Sequence, residues 1–129
     1  MKKLLNKKNN KGFSLVELIV VVLIMGIIAV ALAPQVMKWV GTARTNSDNN
    51  TAKDIKAAVQ IAIADSQGKG ETVGATSFVV DSDGVTGIST AQADEILEVL
   101  GGDYPTTSAG GTFTCTITAA GQVTVAPTP

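Results

Sequence analysis

Residues 13–33 read FSLVELIVVVLIMGIIAVALA, an aliphatic run whose only charge is Glu17. At 1.5 Å rise per residue a helix of this length reaches about 32 Å, enough to cross the hydrocarbon core of a bilayer. Lys2, Lys3, Lys7, Lys8 and Lys11 precede it with no acid among them. By the positive-inside bias they keep the N-terminus in the cytoplasm and send the rest of the chain across the membrane. The segment therefore dictates a membrane-spanning or helix-packing element, with only about a hundred residues left to build anything else.

Three readings fit such a segment. A secretory signal peptide has a basic start, an apolar centre and a small-residue cleavage site, here Ala29-Val30-Ala31 or Ala31-Leu32-Ala33. Against it, Glu17 interrupts the apolar centre and Pro34 directly follows the second site. A plain anchor tolerates Glu17 near the end of the span but gives it no purpose, and an acid deep in the span costs about 2.5–3.5 kcal/mol. The third reading must use the glycine before the span, the acid within it and the aliphatics after it together.

That pattern is Lys11-Gly12 followed by Phe13-Ser14-Leu15-Val16-Glu17 and unbroken aliphatics, and it resembles the class III signal of type IV prepilins and pseudopilins. The resemblance covers residues 1 to about 60. It implies that a prepilin peptidase cuts on the cytoplasmic side after Gly12 and methylates the new amine of Phe13. It implies, too, that Glu17 serves assembly by pairing with the terminal amine of a neighbouring subunit. On one helical face the amine and Glu17 are four residues apart, and an acid in the first turns suits the helix dipole. Opposite charges in a low dielectric attract strongly, so docking would relieve the cost of the acid and help to fix axial register.

Gly26 and Pro34 stand where many pilins carry a glycine and a proline. Pro34 removes a backbone donor and clashes with the Val30 carbonyl at about 3 kcal/mol, and Gly26 costs up to about 1 kcal/mol relative to alanine. The two are expected to mark a helix break over residues 26–34. Either this stretch melts in a filament, as the resemblance implies, or it only kinks, as membrane helices commonly do.

Composition limits the remaining chemistry. There is no histidine and a single cysteine, Cys115, so zinc clusters, Cys-His pairs, Ser-His-Asp triads and an internal disulfide are excluded by count. Without the first twelve residues, five basic face eleven acidic residues, a net charge of about −6. An acidic body argues against nucleic-acid or anionic-membrane binding by the body. The chain is expected to be no enzyme and to need no cofactor or metal.

Beyond Pro34, Ile55, Ala58, Val59, Ala62 and Ile63 recur at helical spacing, with Gly68 and Gly70 as a stop. The polar stretch GTARTNSDNN from Gly41 is poor in helix formers; it either frays or lets Ser47 and Asp48 cap a second helix. Trp39 suits a membrane interface, or packs between subunits or on its own head. Strands are expected at residues 78–80, 85–88, 112–118 and 122–126, with turns at Asp81-Ser82-Asp83-Gly84 and through Gly121. Between the two hairpins STAQADEILEVLGG reads as a short helix, with Ser89 and Gln92 at capping-box spacing and Gly101-Gly102 as its end. Asp81-Ser82-Asp83-Gly84 lacks the further acids of a calcium loop in register and reads as a solvated turn. Phe113, Cys115 and Ile117 share one strand face, making Cys115 a small core residue.

The expected fold is α+β: a long N-terminal hydrophobic helix, pilin-like, packed on a small antiparallel β-sheet head. Its parts are a basic leader peptide (1–12), a hydrophobic transmembrane or assembly helix (13–36), an amphipathic continuation (37–70) and a small head with β-hairpins (71–129). A head of this size has a marginal core alone, and the apolar stripe of the preceding helix supplies the missing face. The expected function is a structural subunit of a type IV pilus-like filament, serving adhesion or motility. A pseudopilin of a secretion or DNA-uptake system is the alternative, and an exported membrane-anchored binding domain a more distant one. Expected partners are further copies of the chain, the prepilin peptidase, and an assembly machine with its ATPase and membrane platform. The precursor belongs in the cytoplasmic membrane and the assembled form outside the cell.

Overall fold

A computed structural model describes residues 12–128. The leader expected over residues 1–12 falls, except for Gly12, outside the described residues. Helix α1 (Leu15–Gly68) is followed by strands β1 (Thr76–Asp81) and β2 (Gly84–Thr86), helix α2 (Thr90–Val99), and strands β3 (Thr112–Ile117) and β4 (Val123–Thr128). The order is α+β, with a long leading helix and a four-stranded antiparallel sheet, as the hydrophobic pattern predicts. Two compact units divide between Trp39 and Val40.

In the first unit α1 is apolar all round and exposed all round: among the large side chains from Leu15 to Val36 none is buried. A helix with no polar face has no face for water, so this surface requires lipid or other protein. Among the described residues α1 is the one helix long and apolar enough to cross a membrane. It runs unbroken through Gly26 and Pro34.

The second unit contains the core. Ile55, Ala58, Val59 and Ala62 of α1 are buried against Phe78 and Val80 of β1, Phe113, Cys115 and Ile117 of β3, Val123 of β4 and Ile96 of α2. The helical stripe read from the sequence is the one that packs, and the alternation of β3 puts Phe113, Cys115 and Ile117 inward together. Burial pushes the Cys115 thiol up to about 12, because the interior disfavours the thiolate.

The sheet order is β2-β1-β3-β4. Each expected hairpin forms, and the two join through the β1–β3 ladder, with Phe78 opposite Cys115 and Val80 opposite Phe113. Strand β2 stops at Thr86, short of the expected Ile88, because the chain turns at Gly87. There φ is +108°, and a Cβ would stand 3.1 Å from the Ser77 carbonyl oxygen and 3.2 Å from Phe78 Cβ. Both sheet edges are blunted against pairing with another strand. One is the three-residue β2, and the other, β4, carries Pro127, which has no N–H to offer.

Both helices end in Schellman motifs. After α1, Glu71 N–H reaches the Ser66 carbonyl at 2.9 Å and Gly70 N–H the Gln67 carbonyl at 3.1 Å. After α2, Gly102 N–H reaches Leu97 at 3.0 Å and Gly101 N–H reaches Glu98 at 3.2 Å. At the start of α2 the expected capping box does not form: Ser89 occupies the N-cap position without a side-chain hydrogen bond. Gln92 instead lines the apolar space between α1 and β1, with Val59, Ile63 and Phe78.

The polar stretch after Gly41 neither frays nor recaps, which corrects both expectations. Thr45 and Thr51 donate their hydroxyls back to the carbonyls of Gly41 and Ser47, each at 3.1 Å, so helix-poor side chains bond to the helix they sit in. Asp48 is taken by the loop before β3. Ser108 N–H donates to Asp48 Oδ1 at 2.7 Å, while its hydroxyl contacts the same oxygen and donates to the Arg44 carbonyl at 3.2 Å. Thr107, buried beside it, accepts Gly111 N–H on its hydroxyl at 2.8 Å.

At the far end of α1, Lys69 pairs with Asp65 and stands 3.7 Å from Glu95 of α2. The Lys69 hydrogen bond holds the Asp65 carboxyl below its ordinary range, and the neighbouring Asp65 raises that of Glu95. Tyr104 donates its hydroxyl to the Ala93 carbonyl at 3.0 Å, and burial raises its phenol above the usual value.

Candidate functional site

The candidate site is the start of α1 and the apolar surface behind it. Gly12, Phe13 and Ser14 precede the helix without regular structure, and Phe13 is 91% exposed. The Gly12–Phe13 bond therefore lies before the first turn of α1, between two exposed residues. A Cβ at Gly12 would touch nothing, so nothing within the described chain demands a glycine there.

Ser14 and Glu17 close the helix start reciprocally. Ser14 N–H donates to Glu17 Oε2 at 2.9 Å, and Ser14 Oγ accepts the N–H of Val16 at 3.2 Å and of Glu17 at 3.4 Å. This is a capping box: a hydroxyl at the N-cap and a carboxylate three residues on satisfy backbone donors that the first turn leaves orphaned. The reading of Glu17 from spacing to the Phe13 amine alone missed Ser14. The signal was present, since SLVE is the S-x-x-E pattern immediately before an apolar run. Glu17 thus has a partner within its own chain, one residue from the nitrogen of Phe13.

Behind the cap, Leu18, Val22, Gly26 and Val30 form one i+4 row and Ile19, Leu23 and Ile27 the next. Gly26 notches the first row, giving a shallow apolar concavity of the kind into which a ridge of another helix packs. A Cβ at Gly26 would meet nothing within 4 Å, so the glycine answers to no contact inside this chain. Pro34 lies inside α1 without ending it, leaving the Val30 carbonyl without its usual donor. Trp39, at the end of this unit, is 63% exposed.

The remaining sequence-selected positions gather no chemistry. Asp81 Oδ1 accepts the N–H groups of Asp83 at 2.9 Å and Gly84 at 3.1 Å, an Asx turn closing the β1–β2 hairpin. Cys115 is fully buried in the head core.

Residues 7–33 match the family model described as the prokaryotic N-terminal methylation motif. The match encloses Gly12, Phe13, Ser14, Glu17 and Gly26, and ends one residue before Pro34. No curated protein and no solved structure matches the chain.

Proposed function

We propose that this chain, the bearer of a prokaryotic N-terminal methylation motif, is the precursor of a structural subunit of a type IV pilus-like filament. The observation that carries the reading is the juxtaposition at residues 12–30: an accessible Gly12–Phe13 bond, a capped helix start, and an apolar helix exposed on every side. The precursor rests in the cytoplasmic membrane with its N-terminus inside. A prepilin peptidase cuts after Gly12 and methylates the amine of Phe13. No catalytic group of the chain itself takes part.

Polymerisation buries the residue 13–36 surface against the same surface of other copies, replacing lipid by helix. Gly26 admits close approach, and the released Val30 carbonyl together with Gly26 makes residues 26–34 the stretch where the helix melts to fit the filament. Cleavage creates a cationic amine next to Ser14, and Glu17 exchanges its local cap for, or shares it with, the Phe13 amine of a neighbour. Extraction from the bilayer is driven by an ATPase and membrane platform outside this chain. The blunted edges of the head sheet favour assembly through helices over assembly through strands.

Mass spectrometry of the mature chain tests the first step, with a terminus at methylated Phe13 expected; a terminus near Pro34 would sink the filament reading in favour of an exported domain. Glu17→Ala tests the second step. Expected is a subunit that is cleaved and membrane-inserted but yields few surface fibres, and normal fibres would refute the pairing role.

A further inference from the structure

The head carries unpaired charge of opposite sign on the two flanks of α1. Lys53 and Lys56, about 60° apart around the helix, leave one side of the buried stripe of Ile55, Val59 and Ala62. Asp54 and Ala58 lie on the other side, roughly 150° round from the lysine pair. There α1 borders an open groove of about 600 Å³ whose apolar lining includes Ala58, Val99, Leu100 and Pro105, and which carries the carboxylates of Asp54 and Asp103. Both carboxylates are exposed, and Val99 is 41% exposed. Helix α2, which forms one wall, bears Asp94, Glu95 and Glu98 and no base. Among the described residues none of Lys53, Lys56, Asp54 and Asp103 forms an ion pair.

We infer that this groove receives the Lys53–Lys56 flank of a second copy of the chain, an inference that rests on the filament reading and supplies its head-to-head contact. The chemistry matches on both counts. Lysine stems are long enough to lie over Val99, Leu100 and Pro105 while their ammonium groups reach Asp54 and Asp103. Donor and acceptor surfaces sit at different places on one head, so the contact is heterologous. A heterologous contact that does not close into a ring propagates as an open helical polymer, which is the geometry a filament requires. Exposed ion pairs are individually weak. Their effect here is to select the rotation and register of one head on the next, while helix burial holds the copies at high effective concentration.

The test uses the full chain in cells. Lys53→Glu/Lys56→Glu and Asp54→Lys/Asp103→Lys are each expected to lower the yield of sheared surface filaments about tenfold, with the cleaved membrane pool and protease resistance of the head unchanged. The four-fold charge swap is expected to restore the yield. Wild-type yields from both double variants overturn the contact, as does a four-fold variant no better than its parents. Loss confined to the groove variant also overturns it and assigns the groove to a basic segment of another protein. A second measurement is independent of filaments: copies carrying Lys53→Cys and Asp103→Cys are co-expressed and oxidised in membranes. A disulfide-linked mixed dimer, absent when either is expressed alone, is expected; its absence overturns the contact. The buried Cys115 stays silent in this assay. If the dimer forms but the wild type builds no fibre, the filament reading fails and the contact stands; if fibres form regardless of the double variants, the reverse holds.

Discussion

Ser108 donates its backbone N–H to Asp48 Oδ1 at 2.7 Å across 60 residues of sequence, and its hydroxyl also bonds the Arg44 carbonyl. One side chain on α1 thereby holds the loop before β3, and the same loop serine bonds back to the helix at Arg44.

Removing that carboxylate tests the linkage. Asp48→Ala removes both contacts to Ser108 at this exposed site and is expected to cost the head about 0.5–1.5 kcal/mol, whereas Ser108→Ala keeps the backbone bond and costs less. Cys115, buried and single, reports the difference: its alkylation as a function of urea follows the opening of the head, and the Asp48→Ala midpoint is expected to fall further.

This tether also marks where sequence reading stops. The Ile55-Ala58-Val59-Ala62 stripe and the Phe113-Cys115-Ile117 alternation were legible because burial imposes a period on the residues themselves. The helix through GTARTNSDNN was not, because its decisive partner, Ser108, lies in a loop whose docking no local pattern announces. The Ser89 capping box was wrong for a related reason: the spacing permits the bonds, but Gln92 turns to the apolar layer beside Phe78. In the candidate site the motif pattern itself was legible, and the family match encloses Gly12, Phe13 and Glu17. The Ser14–Glu17 box was readable also, and was overlooked because the acid was matched only to the amine that the proposed cleavage would create.

Gly87 is the position where backbone conformation and packing both demand glycine. With φ at +108° and a Cβ 3.1 Å from the Ser77 carbonyl oxygen, Gly87→Ala meets strain and a clash against β1 backbone that cannot rotate away. The expected loss is on the order of 1–3 kcal/mol. Gly26→Ala, where a Cβ meets nothing and helix propensity improves, is expected to leave the head unfolding midpoint unchanged. Urea titration of the two variants beside the wild type checks the contrast.

The head is expected to weaken as pH rises above the range where an unfolded thiol ionises. Burial holds the Cys115 thiol protonated up to about 12 in the folded head, while an unfolded cysteine gives up its proton near pH 8.5. Between these values the unfolded state binds fewer protons, so unfolding becomes easier as pH rises. The raised Tyr104 phenol acts in the same direction at higher pH. The wild-type urea midpoint should therefore fall more steeply between about pH 8.5 and 12 than that of Cys115→Ala, whose remaining slope is due to Tyr104 and the other titrating groups. Parallel slopes would show that the thiol is not held neutral.

Glu17 caps its own helix and, in the filament proposal, also pairs with a neighbour's amine; a single deletion confuses the two roles, and two substitutions separate them. Glu17→Gln retains a side-chain oxygen three residues from Ser14, so it still accepts the Ser14 N–H and preserves the capping box, but it carries no charge for an amine. Ser14→Ala removes the hydroxyl that accepts from Val16 and Glu17, at about 1 kcal/mol of helix start, and leaves the carboxylate in place. If charge pairing with a neighbour's Phe13 amine drives assembly, Glu17→Gln should be cleaved and inserted normally yet build few fibres, and Ser14→Ala should build them near the wild-type level. If the carboxylate matters only as a cap, the order reverses. Fibre yield for both variants, measured against the amount of processed subunit in the membrane, decides which role the apolar span retains its one acid for.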